Sequence, residues 1–97
     1  MYVIDFATTA KKDFKVINKS DITFIRDSLY DFAQNFNADY EKSLMHSGKI
    51  KKLKGQKEIL YRLKLRTYRV IYKKYDNKLV ILVLHVTTRE SAYKNLD

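Results

Sequence analysis

Between Lys49 and Lys74 the chain sets eleven of its twenty lysines and arginines against a single acid, Glu58, a formal +10 within 26 residues. Residues 1–48 carry six cations and seven acids, and residues 75–97 carry three of each, so the +9 of the whole chain belongs to this one stretch. Concentration of this kind is the footprint of a face that binds a polyanion. The apolar residues inside the stretch say how it must fold. From Ile59 they recur at every second position: Ile59, Tyr61, Leu63 and Leu65 take one side of a strand, and Leu60, Arg62, Lys64 and Arg66 take the other. A strand with this alternation has one face to bury and one face of cations to expose. At about 3.3 Å per residue, Arg62, Lys64 and Arg66 are expected roughly 6–7 Å apart.

The alternation continues. Thr67 marks a turn, and Tyr68 to Tyr75 form a second strand with Arg69, Ile71 and Lys73 opposite Tyr68, Val70 and Tyr72. Asp76–Asn77 reads as a two-residue turn. Lys78 to Val86 form a third strand whose unbroken apolar run implies cover on both faces and an interior place in the sheet. Ahead of the basic stretch the period is helical. A short strand, Tyr2 to Phe6, precedes a helix capped by Thr8 or Thr9, with Ala10, Phe14 and Ile17 inward and Lys11, Lys12, Asp13 and Lys15 outward. Ser20 is the expected cap of a second helix, with Asp21 in its first turn. There Ile22, Ile25, Leu29, Phe32 and Phe36 recur at intervals of three and four, while Arg26, Asp27, Asp31 and Asn35 face away. Asn37 to Gly48 fits either an extension of that helix or a loop. Gly48 and Gly55 bracket KIKKLK, where helices give way to sheet. The order β-α-α-β-β-β predicts an α+β fold, two N-terminal helices packed on an antiparallel sheet, in one domain spanning residues 1–97.

Cysteine is absent, so no disulfide framework or thiolate metal site is possible, which fits a reducing cytoplasm. The two histidines, His46 and His85, are too far apart in sequence for a zinc motif, and no cofactor or metal is implied. MYVIDFATTAKKD lacks the apolar run of a signal peptide, and the run from Leu79 to Leu84 is too short to span a bilayer, so no membrane partner is expected.

IKKLKG, followed by YRLKLRTYRVIYKKYDNKLVILVLHVTTRESAY, resembles the RelE/ParE superfamily of type II toxin–antitoxin toxins, and the opening IDFATTAKKDFKVI looks like that family's two-helix start. The resemblance covers nearly the whole chain. It implies a curved antiparallel sheet behind two helices, and neutralisation by a cognate antitoxin encoded beside the toxin. RelE-like members cut messenger RNA in the ribosomal A site; ParE-like members poison DNA gyrase and are not nucleases. By position in the RelE-like pattern, the functional residues fall on Arg62 and Lys64 of one strand, Arg69 of the next, Arg89 after the last strand, and Tyr93. Arg62 stands where the best-known members have lysine.

RNA can be cut without a metal when its own 2′-hydroxyl attacks the adjacent phosphate. The reaction needs a base, cations around the transition state and an acid for the leaving 5′-oxygen. In the RelE-like reading Lys64 is the base, since two flanking guanidiniums favour its neutral form and arginine cannot serve. Arg69 and Arg62 hold the phosphate, Arg89 stabilises or protonates the leaving side, and Tyr93 stacks on or orients a base. Lys49, Lys51, Lys52, Lys54 and Lys57 are expected on ribosomal RNA phosphates. Arg66 and Lys73 are either further RNA contacts or a solvated surface. Tyr61, Tyr68 and Tyr72 are expected in the core, and His85 is expected to be structural. The alternatives are a ParE-like gyrase inhibitor and a non-catalytic basic nucleic-acid-binding module.

Overall fold

The computed structural model describes residues 1–88. Within them the order is β1 (Val3–Phe6), α1 (Thr8–Phe14), α2 (Lys19–Asn35), α3 (Ala38–His46), β2 (Ile50–Lys52), β3 (Tyr61–Leu65), β4 (Tyr68–Tyr75) and β5 (Val80–Thr88). The five strands form one sheet in the order β1-β5-β4-β3-β2. The α+β class and the meander stand as read from the sequence.

The structure differs in detail at several places, each with a local cause. The sheet is mixed rather than purely antiparallel, because β1 lies parallel to β5, Val3 beside Val80. The meander leaves that side of β5 open, and the long connection through the helices lets the first strand occupy it in parallel. Asn37–Gly48 forms a third helix. Its cap is Asn37, whose side chain accepts from the Tyr40 N–H at 2.8 Å. The second helix begins earlier than Ser20: Asn18 caps it, accepting from the Asp21 N–H at 2.9 Å, and the Ser20 hydroxyl donates to the same oxygen. The β4–β5 connection is four residues long, with Tyr75 O accepting from Lys78 N–H and Leu79 at φ 54°.

The core lies between the helices and one face of the sheet. Ile25, Leu29 and Phe32 of α2 meet Leu63, Leu65, Val70, Tyr72, Ile81, Val83 and Val86, all buried. Tyr72 is fully buried, stacked on Tyr61 at 5.3 Å and edge-on to Phe32 at 5.6 Å. Tyr61 and Tyr72 are therefore core residues, and Tyr68 packs at its margin.

α1 guards an edge. β5 runs past the end of β1, and its outer backbone groups there need partners. Ala7 N–H donates to Val83 O, the Thr9 hydroxyl donates to Leu84 O, and Val86 N–H donates to an Asp13 carboxylate oxygen at 3.0 Å. Leu84 is the extra residue of a bulge, since Ile71 faces His85 and Tyr72 faces Val83. Asp13, expected on the solvent side, is thus half-buried, and the same oxygen lies 3.2 Å from His85 Nδ1.

A buried polar cluster joins α3 to β4. Tyr72 donates to Glu41 Oε2 at 3.0 Å, and Lys74 Nζ lies 2.7 Å from Glu41 Oε1. Burial first, and then the Glu41 charge, push the Tyr72 hydroxyl far above the ordinary tyrosine range. Burial, the largest single influence, would depress the Lys74 ammonium, but the hydrogen bond and charge of Glu41 together with Tyr61 and Asp76 outweigh it and raise the group. Burial raises Tyr61, against the pull of Lys74. Hydrogen bonds to Asp76 and Asp21 raise Tyr2, to about 12, and Tyr68. All five groups bind their protons more tightly folded than unfolded. Their contribution to stability is complete below pH ~10 and is lost as pH climbs through the raised values. A thermal melt series is expected to show a falling Tm from pH ~10 upward. In a 295 nm titration of the native protein, four tyrosines should ionise above the ordinary value. All eight tyrosines ionising together at the ordinary value in the folded state would contradict these raised values.

Candidate nucleic-acid interface

The face of the sheet away from the helices carries the cations. Strand register sets them in two rows. Lys64 pairs with Arg69 across β3 and β4, and Arg69 with Thr87 across β4 and β5. In the neighbouring row Lys51 faces Arg62, Arg62 faces Ile71, and Ile71 faces His85. Lys64 N–H donates to Lys49 O at 2.9 Å, toward β2. Lys64 and Arg69 are therefore a non-hydrogen-bonded pair, the closer kind, with Cα atoms about 4.5 Å apart. The two are neighbours on one face, 5 residues apart in the chain, because the β3–β4 turn takes only Arg66 and Thr67.

The cations differ in how they are held. Lys64 is exposed, whereas Arg69 is buried, its Nη1 donating to Tyr68 O at 3.1 Å and Arg66 O at 3.3 Å. Arg62 is held in the same manner as Arg69. It is buried, and its Nη2 donates to Gly48 O at 2.7 Å and Lys49 O at 3.5 Å, which ties β3 to the α3–β2 connection. Its Nε, like Thr87 Oγ1, is buried with no hydrogen-bond partner among the described residues. Arg66 corrects the sequence expectation. It is a turn residue at φ 56°, not a third cation on the Arg62–Lys64 side, and its guanidinium carbon lies 3.6 Å from the centre of the Phe24 ring on α2. The flanking of Lys64 by Arg62 and Arg66 is therefore replaced by its pairing with Arg69.

Lys49, Lys51, Lys52, Lys54 and Lys57 are all exposed, on β2 and the segments beside it. Lys73 is engaged by Glu58 at 2.9 Å, and Tyr75 first and Glu58 second hold its proton more tightly than usual. His85 sits against Asp13, in keeping with a structural part. Arg89 and Tyr93 lie outside the described residues. Among the described residues no group of three or more His, Asp or Glu side chains is placed to hold a metal ion, and no helix is long and apolar enough to cross a membrane. The buried Glu41–Tyr72–Lys74 cluster has no counterpart in the sequence reading. The only hint was an acid at Glu41 in a segment with no clear period.

Helices packed on one face of a five-stranded mixed sheet give a fold shared with solved RelE structures. The match extends over whole chains. A chain of the intact E. coli RelBE toxin–antitoxin complex superposes with a TM-score of 0.65 at 23% identity, covering 91% of this chain and 96% of that one. The archaeal RelE–RelB complex from Pyrococcus horikoshii OT3 gives 0.66 at 24% identity, covering 94% and 98%. A metal-bound toxin from Helicobacter pylori gives 0.70 at 13% identity, covering 95% and 99%. No family model and no curated protein matches the sequence. The resemblance to the RelE/ParE superfamily read from the sequence thus holds in three dimensions, at the level of fold.

Proposed function

We propose that this chain is the toxin of a type II toxin–antitoxin pair and that it cuts messenger RNA in the ribosomal A site, with the 2′-hydroxyl as nucleophile. The observation that carries the reading is the direct pairing of Lys64 with Arg69 on the face of a RelE-like sheet turned away from the helices. The Lys64 amine takes the proton of the 2′-hydroxyl. The 2′-oxygen bonds to phosphorus, the bond from phosphorus to the 5′-oxygen breaks, and a 2′,3′-cyclic phosphate forms. Arg69 offsets the charge that gathers on the phosphoryl oxygens. The leaving 5′-oxygen takes its proton from water while the Arg89 charge stabilises it, and Tyr93 orients a base. The exposed lysines from Lys49 to Lys57 seat the protein on ribosomal RNA. The partners are the ribosome and an antitoxin whose acidic or amphipathic segment covers the basic face, and the place of action is the cytoplasm.

Toeprinting on programmed ribosomes tests the proposal. Purified protein is expected to produce new mRNA ends at the A-site codon, without added metal and suppressed by the antitoxin encoded beside it. Intact mRNA together with inhibited gyrase supercoiling would assign the chain to ParE-like action instead.

A further inference from the structure

The β3–β4 turn is built in a way the cleavage reaction does not require. Arg66 occupies the left-handed region at φ 56°, where a Cβ is strained and glycine would not be. Hairpin turns of this length usually place Asn-Gly there. Leu79 in the β4–β5 connection shares a positive φ, so what sets Arg66 apart is where its side chain goes. The side chain lies over Phe24 at 3.6 Å, so one face of the guanidinium is covered by an aromatic ring, while Arg66 itself remains exposed. Both residues line a cavity of about 280 Å³ that also takes in Ser28 and Asp31 of α2, and Lys49 and Lys64 at the edge of the sheet.

This wall has three cations against one acid, which selects an anionic ligand. It also has a planar guanidinium backed by a ring, which selects a flat π-system, and hydroxyl and carboxylate groups able to bond a base edge. A nucleotide combines all three properties; an acidic peptide needs only the first. The site is continuous with the cleavage face, since Lys64 belongs to both and Arg69 donates to the Arg66 carbonyl. We infer that Arg66 and Phe24 form a stacking platform for one unpaired RNA base beside the phosphate that Lys64 and Arg69 engage, which would make Arg66 a determinant of where the message is cut. The inference rests on the ribosomal RNA-cleavage reading above.

The test uses ribosomes programmed with an mRNA whose A-site codon carries 2′-O-methyl groups, which block cleavage, and a single 2-aminopurine moved through the codon and its flanks. Wild type is expected to change the fluorescence at one position. Arg66→Gly, which relieves the turn, and Phe24→Leu should lose that change and bind about 5- to 100-fold more weakly. Arg66→Lys keeps the charge, so its salt dependence should match wild type while its affinity falls toward that of Arg66→Gly. Thermal melts establish that each variant is folded. Wild-type binding with no fluorescence change at any position, or Arg66→Lys equal to wild type in affinity, overturns the platform and leaves the cleavage reading intact. The second result is what a charge-only contact, as to an acidic peptide, would give. No binding of wild type to programmed ribosomes overturns both.

Discussion

Lys64→Ala is expected to slow cleavage of ribosome-bound mRNA by about 10²- to 10⁴-fold, the usual contribution of a positioned proton-transfer group. Among the described residues the Lys64 side chain makes no hydrogen bond or ion pair and is exposed, so its removal should leave the melting temperature nearly unchanged. Lys64→Arg sharpens the result. It keeps the positive charge beside Arg69 but cannot give up a proton, so it should be nearly as slow as the alanine variant while still binding ribosomes. If the charge is all that matters, arginine will restore most of the rate. Single-turnover cleavage followed by primer extension separates the outcomes, and an alanine variant that cuts at the wild-type rate removes Lys64 from the base role.

The second large effect is on stability. Glu41 is 6% exposed and accepts from both Tyr72 and Lys74. Glu41→Ala leaves a mostly buried ammonium without its carboxylate and a buried hydroxyl without its acceptor. Breaking a buried pair in this way costs about 3–5 kcal/mol, against the roughly 5–15 kcal/mol that holds a domain folded. A fall in Tm of roughly 15–25 °C is expected at neutral pH. Glu41→Leu combined with Lys74→Met should recover a good part of the loss, because neither partner is then left charged and alone. Equal Tm values for wild type and Glu41→Ala would show that the cluster contributes little. The same destabilisation bears on function, since Glu41 anchors α3, which leads directly into β2 beside Arg62.

The strands of the meander were legible because period-two alternation is a local signal: Tyr61, Leu63 and Leu65 fell on the core side as expected. Helix α2 was legible from Ile25, Leu29 and Phe32 for the same reason. Asp13 was misplaced because its partner, the Val86 N–H, is 73 residues away and exists only where β5 outruns β1. Arg66 was assigned to a strand face because alternation carries no mark of where a strand ends. The left-handed turn, not the pattern, sends its side chain toward α2.

Local patterning alone therefore determined the α+β class, the faces of each element and the gathering of positive charge on one side of a meander, because those depend on residues two to four positions apart. Which cations stand together was decided by the tertiary structure. Strand register sets Lys64 against Arg69, carbonyls from the α3–β2 connection engage Arg62, Glu58 takes Lys73, and α2 brings Phe24 beneath Arg66. Each of these depends on the distance between groups that only folding brings into contact.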